Sequence, residues 1–100
     1  MIRLAAKAII IENDKLLVLE HNNNGEQYFL LPGGGQEHKE DLHQALRREC
    51  LEEIGAAVDV NDLLFVSEFI SERYNENVDS DDFHQVDMFF SCNLLEELYS

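Results

Sequence analysis

The sequence predicts an α+β or α/β domain in which β-rich segments surround one well-defined helix. Three observations carry this. Apolar runs rich in branched residues lie at positions 2–12 and 63–70. Asp41 to Ile54 is built from helix formers without Gly or Pro. Leu31-Pro32-Gly33-Gly34-Gly35 separates the two patterns. At 100 residues and 45% hydrophobic, the chain has room for one domain, 1–100, around one modest core.

Ile2 to Glu12 reads as a mostly buried strand, and Asn13-Asp14 supplies turn chemistry before a second strand from Lys15 to Glu20, giving a β-hairpin. His21 to Gln27, with three Asn and a Gly, reads as a polar loop. Tyr28 to Leu31 is a short apolar strand, stopped by Pro32 and the three glycines. The helix occupies Asp41 to Ile54, with Gly55 where a C-cap glycine belongs. After it, Ala57 to Tyr74 contains a β-rich stretch, Leu63 to Ile70. Asn75 to Asp82 reads as a loop, and His84 to Cys92 as a strand in which Val86, Met88 and Phe90 alternate with their neighbours. The tail from Asn93 to Ser100 has the composition of a helix start but is too short to assign.

Composition narrows the function. A net charge of −14 with only seven Lys and Arg argues against a nucleic-acid polymer as partner, because basic side chains hold phosphate backbones. A small phosphorylated molecule stays compatible, since carboxylates that hold divalent ions turn the local potential positive. No apolar run approaches a membrane span and the N-terminus lacks a signal-peptide layout, so a cytoplasmic protein without membrane contact is expected. Cys50 and Cys92 read as buried, reduced thiols rather than a disulfide or zinc pair.

The helix carries its acids in an unusual place. Leu42, Leu46, Glu49 and Glu53 form one stripe, with Ala45 and Glu52 beside it. A merely solvated charge run would put the glutamates opposite the leucines. Here the stripe starts apolar and turns acidic, and carboxylates at i, i+3 and i+4 repel unless a cation joins them. Oxygen donors suit Mg²⁺ or Mn²⁺, and Mg²⁺ takes few protein carboxylates beside its waters and substrate phosphates. The glycine triplet upstream permits close approach of a metal or phosphate to the main chain.

At this point the sequence resembles the Nudix hydrolase family, whose signature is G-x5-E-x7-R-E-U-x-E-E-x-G-U with U aliphatic. Gly34, Glu40, Arg48, Glu49, Glu52, Glu53 and Gly55 stand at its non-aliphatic positions, while Cys50 and Ala56 depart from it at two aliphatic ones. The resemblance implies a mixed sheet between helices, an α/β/α sandwich, and metal-dependent hydrolysis of a small X-diphosphate-Y molecule by water attack on phosphorus. It implies that Glu49 and Glu53 bind the essential Mg²⁺ or Mn²⁺, that Glu52 holds a further ion or its water, and that the Gly34 carbonyl completes the shell. Arg48 then pairs with and orients a box carboxylate, Glu40 supports the loop-helix geometry, and Glu49 is one candidate general base. Domains resembling this one continue past the last strand read here with a further strand and a closing helix. A chain ending at Ser100 is therefore expected to leave an edge or face uncovered and to form an oligomer, most simply a homodimer.

Rival readings stay open. One is a non-catalytic Nudix-fold module that binds nucleotides or regulates. Another is calcium binding by Asn75 to Asp82, which lacks the glycine and final glutamate of an EF-hand and reads better as a solvated loop or a source of the base. His21, His38 and His43 read as solvent-facing or structural, and His84 is a candidate substrate contact. Tyr28, Phe29, Phe69, Tyr74 and Phe83 are either core or stacking partners for a nucleobase.

Overall fold

The computed structural model describes residues 1–71 and 83–96. In chain order the elements are β1 (Ile2–Glu12), β2 (Lys15–Leu16), β3 (Leu19–Asn23), β4 (Glu26–Leu30), β5 (Gly33–Gly35), α1 (Leu42–Ile54), β6 (Val58–Ile70) and β7 (His84–Leu94). The main sheet runs β2-β1-β7-β6, with β5 also paired to β1. It is mixed: β1 and β7 are parallel, whereas β6 with β7, β5 with β1 and β2 with β1 are antiparallel. The fold class is the one the sequence implies, a mixed sheet with the box helix packed on it.

The core forms where α1 meets the sheet. Ala6, Ala8 and Ile10 of β1, Phe90 and Cys92 of β7 and Val58 of β6 pack with Leu46 and Cys50 of α1. Alanines at positions 6 and 8 keep the strand surface flat enough for the helix to approach. Both thiols are free and buried, and burial pushes them up, Cys50 to about 12 and Cys92 to about 11.

Four segments differ from their sequence reading. Only Lys15 and Leu16 of the proposed second strand pair with β1; Leu19 to Asn23 turn instead to β4. The segment read as a polar loop is mostly that second hairpin, turned by Asn24 and Gly25, both at positive φ. An Asn-Gly pair is a strong two-residue hairpin signal, and polarity masked it. The glycines read as a strand stop are themselves β5, in register with Ala5, Ala6 and Lys7. Gly33 has φ 138°, and a Cβ there would lie 2.1 Å from the Ala6 carbonyl oxygen, so only glycine fits this approach. Of the tail, Asn93 and Leu94 close β7 rather than starting a helix. Tyr74 and the 75–82 segment lie outside the described residues.

Candidate active site

The site begins with the local signals that start α1. Asp41 is the N-cap: its Oδ1 accepts the Gln44 amide at 2.7 Å and the Gln44 side chain accepts the Asp41 amide at 2.8 Å, a complete capping box. At the other end Gly55 takes the left-handed conformation, φ 68°, and its amide donates to the Leu51 carbonyl. With both ends fixed, Leu46 is buried, Glu49 half-buried and Glu53 exposed, so the stripe runs outward from the core as its composition suggests.

Arg48 ties the helix to the loop before it. Its Nε donates to Glu40 Oε2 at 2.7 Å, its Nη2 to Glu40 Oε1 at 3.0 Å and to the Gly35 carbonyl at 3.1 Å, and its Nη1 to Glu49 Oε1 at 3.0 Å. Glu52 lies at 3.5 Å and Glu37 at 3.7 Å from the same guanidinium. The two-pronged bond to Glu40 matches planar guanidinium to planar carboxylate. Hydrogen bonding to Arg48 is the main reason Glu40 sits below its ordinary carboxylate value, and the same bond raises Arg48 further.

The glycine strand receives the other carboxylates. A Cβ on Gly34 would fall 2.7 Å from the Glu49 carboxyl, so the bare glycine is what lets that group lie against β5. Glu53 Oε1 accepts the Gly33 amide at 2.8 Å. Desolvation of its carboxyl group, the largest influence, raises the pKa of Glu53; Glu49 and Glu52 push the same way, against the Gly33 amide and Lys7.

These donors suit a hard divalent cation. Glu49 and Glu53 each use one oxygen on a protein donor and keep Oε2 without a hydrogen bond among the described residues. One point differs from the sequence reading. The three box carboxylates do not converge: Glu49 and Glu52 turn to Arg48, and Glu53 to the Gly33 amide. Like charges move toward the nearest donors rather than toward one another. Among the described residues no three Asp, Glu, His or Cys side chains are gathered closely enough to surround an ion as they stand.

The other candidates lie apart from this cluster. His84 pairs with Glu68, His43 packs edge-on against Phe90, and His21 stacks on Tyr28 with ring centres 5.3 Å apart. Tyr28, Phe29, Phe69 and Phe83 are exposed rather than core. A groove of about 600 Å³ lined in part by Glu12, Leu17 and Leu94 shares no residue with the box. Sequence reasoning missed Arg3, whose guanidinium lies against Gly35; only the register of β1 with β5 places it there.

No curated protein matches the chain. Solved structures do. A UDP-X diphosphatase is 27% identical, with a TM-score of 0.74, over 100% of this chain and 45% of that one. A NUDIX hydrolase from Nitrosomonas europaea is 23% identical (TM-score 0.78) over 96% and 61% of the two chains. An ADP-ribose pyrophosphatase from Streptococcus suis is 22% identical (TM-score 0.67) over 98% and 64%. The latter two, below 25% identity, speak to the fold alone. This chain thus spans between about half and two thirds of the length of these three structures. The family model for the NUDIX domain matches residues 1–99. The chain belongs to the NUDIX domain family.

Proposed function

We propose that this chain, as one domain, carries the catalytic part of a cytoplasmic pyrophosphohydrolase that cleaves nucleoside-diphosphate-linked small molecules with Mg²⁺ or Mn²⁺. The observation that supports it best is the seating of Glu49 against Gly34 beside Glu53 on the Gly33 amide, which sets two carboxylates along one glycine strand. Likeness to a UDP-X diphosphatase makes UDP-linked compounds the first substrates to try.

In this reading Glu49, Glu53 and the Gly34 carbonyl would hold the ion, and Glu52 would hold a further ion or a metal-bound water. The ion supplies charge neutralisation at the phosphoryl oxygens and a more acidic attacking water. Glu49 is one candidate base, but Arg48 holds its Oε1, so its one free oxygen, Oε2, serves either the ion or the proton and not both. Arg48 fixes that carboxylate, Glu40 fixes Arg48 through two hydrogen bonds, and Gly55 ends the helix so that Glu53 falls in its last turn. A dimer is part of the proposal.

The test is a screen of UDP-sugars, ADP-ribose, nucleoside triphosphates and dinucleoside polyphosphates with Mg²⁺ or Mn²⁺. Turnover is expected, and Glu53→Gln should lower it by roughly 100-fold or more while the protein stays folded. Undiminished turnover in that variant removes Glu53 from the metal site. A non-catalytic binding module gives nucleotide affinity without turnover in the wild type.

A further inference from the structure

We infer that Arg3 is the anion-binding arm of this site, holding a substrate phosphate from the face of β5 opposite Glu49. The inference rests on the diphosphate chemistry proposed above. Consecutive residues of a strand point to opposite faces. At Gly34 the space of a side chain is filled by the Glu49 carboxyl, 2.7 Å from where a Cβ would sit; at Gly35 it is filled by the Arg3 guanidinium, with Nε at 2.6 Å and Nη2 at 2.7 Å. β5 is thus a bare strip of backbone with a carboxylate on one side and a guanidinium on the other.

Arg3 is held in that place by neutral contacts. It faces Gln85 in the parallel register of β1 and β7, and its Nη1 donates to Gln85 Oε1 at 3.2 Å. Gln85 in turn donates Nε2 to Asp87 Oδ1 at 2.7 Å. Because an ionised carboxylate only accepts, Asp87 fixes which end of the amide faces Arg3, and the end presented is the acceptor. Gln85 is a positioning residue for the arginine.

Among the described residues the charge on Arg3 is otherwise unspent. The chain has 21 acidic and seven Lys or Arg residues, yet Arg3 is exposed and makes no ion pair among the described residues. Arg48, across the same loop, lies within 4 Å of four carboxylates. One arginine is consumed by the architecture, while among the described residues the other spends only one of its five N–H donors, on Gln85. For a diphosphate approaching a chain of net charge −14, such a group adds to the attraction of the ion.

The experiment compares wild type with Arg3→Gln, Arg3→Lys and Gly35→Ala, by kinetics on the substrate found in the screen and by calorimetry with Mg²⁺ and inorganic pyrophosphate. Arg3→Gln should raise KM and weaken pyrophosphate binding by about 10-fold, the scale of one charge-assisted hydrogen bond, with kcat within a few fold and an unchanged melting temperature. Arg3→Lys should recover part of the loss. Gly35→Ala should displace the guanidinium and reproduce the loss, and the double variant Arg3→Gln/Gly35→Ala should be no worse than Arg3→Gln. Unchanged KM and pyrophosphate affinity in Arg3→Gln overturns the inference while leaving the hydrolase reading intact. So does a fall in kcat and melting temperature that Lys does not restore, which marks a purely structural arginine. If the wild type turns over nothing, the hydrolase reading fails and calorimetry alone decides: weaker pyrophosphate binding in Arg3→Gln supports the arm, and equal or absent binding in both proteins overturns it.

Discussion

A methyl group added at Gly33 and one added at Gly34 meet different obstacles. At Gly33 the obstacle is backbone, the Ala6 carbonyl oxygen at 2.1 Å, and φ is 138°. At Gly34 it is the far end of the Glu49 side chain, and φ lies in the ordinary range. Gly33→Ala should therefore cost about 2–4 kcal/mol of stability, combining overpacking with backbone strain, seen as a lower denaturation midpoint. Gly34→Ala should leave that midpoint nearly unchanged and lower Mg²⁺-dependent turnover by about 10-fold or more, because Glu49 must leave its seat. Equal midpoints for the two variants would contradict the distinction. The sequence makes three glycines in a row easy to see, but not which of them faces backbone and which the Glu49 carboxylate. The thiols were legible by contrast. Cys50, buried and pushed up to about 12, should resist iodoacetamide in the native protein at pH 8 and react once it is unfolded.

The box helix was readable from sequence because its start, stripe and stop are all local signals. Asp41→Ala removes the cap from Gln44 and should cost about 1 kcal/mol, measured by chemical denaturation. The bond from Arg48 back to Glu40, eight residues earlier, joins the helix to its loop and gives a pH signature. Glu40 is held below its ordinary value of 4.5. Its contribution to stability is therefore complete above that value and is lost as pH falls through the depressed folded value. The stability gap between wild type and Glu40→Gln should accordingly be full at neutral pH and close in acid. A gap that widens on acidification has the wrong sign. Elements defined by partners far along the chain were less legible. β5 has no side chains to alternate, so nothing local announces that it pairs with β1. β3 and β4 were obscured because their turn lies within a run of Asn, Gly and Glu that also suits an open loop.

At the scale of the whole molecule, β6 stands out among the described residues. Among the described residues it is the last strand in the sheet order, 13 residues long, and Leu63, Leu64, Phe65 and Val66 are each about half exposed. A strand at a sheet edge with apolar side chains is a template for pairing with another strand. Two features oppose pairing: the irregular register between Val60 and Phe65, which bends the edge, and the mutual repulsion of two chains of net charge −14. Apolar attraction is short-ranged and insensitive to moderate salt, whereas repulsion between exposed charges is cut from a reach of about 30 Å at 0.01 M to about 8 Å at 0.15 M. The balance should thus move with ionic strength. Sedimentation or light scattering at fixed protein concentration should give more dimer as NaCl rises from 0.01 to 0.5 M. Val66→Lys, which places a charge in the middle of the edge, should return the protein to monomer at every salt concentration. A dimer held mainly by ion pairs would respond in the opposite sense, dissociating as salt rises, and a dimer indifferent to Val66→Lys would place the contact away from β6.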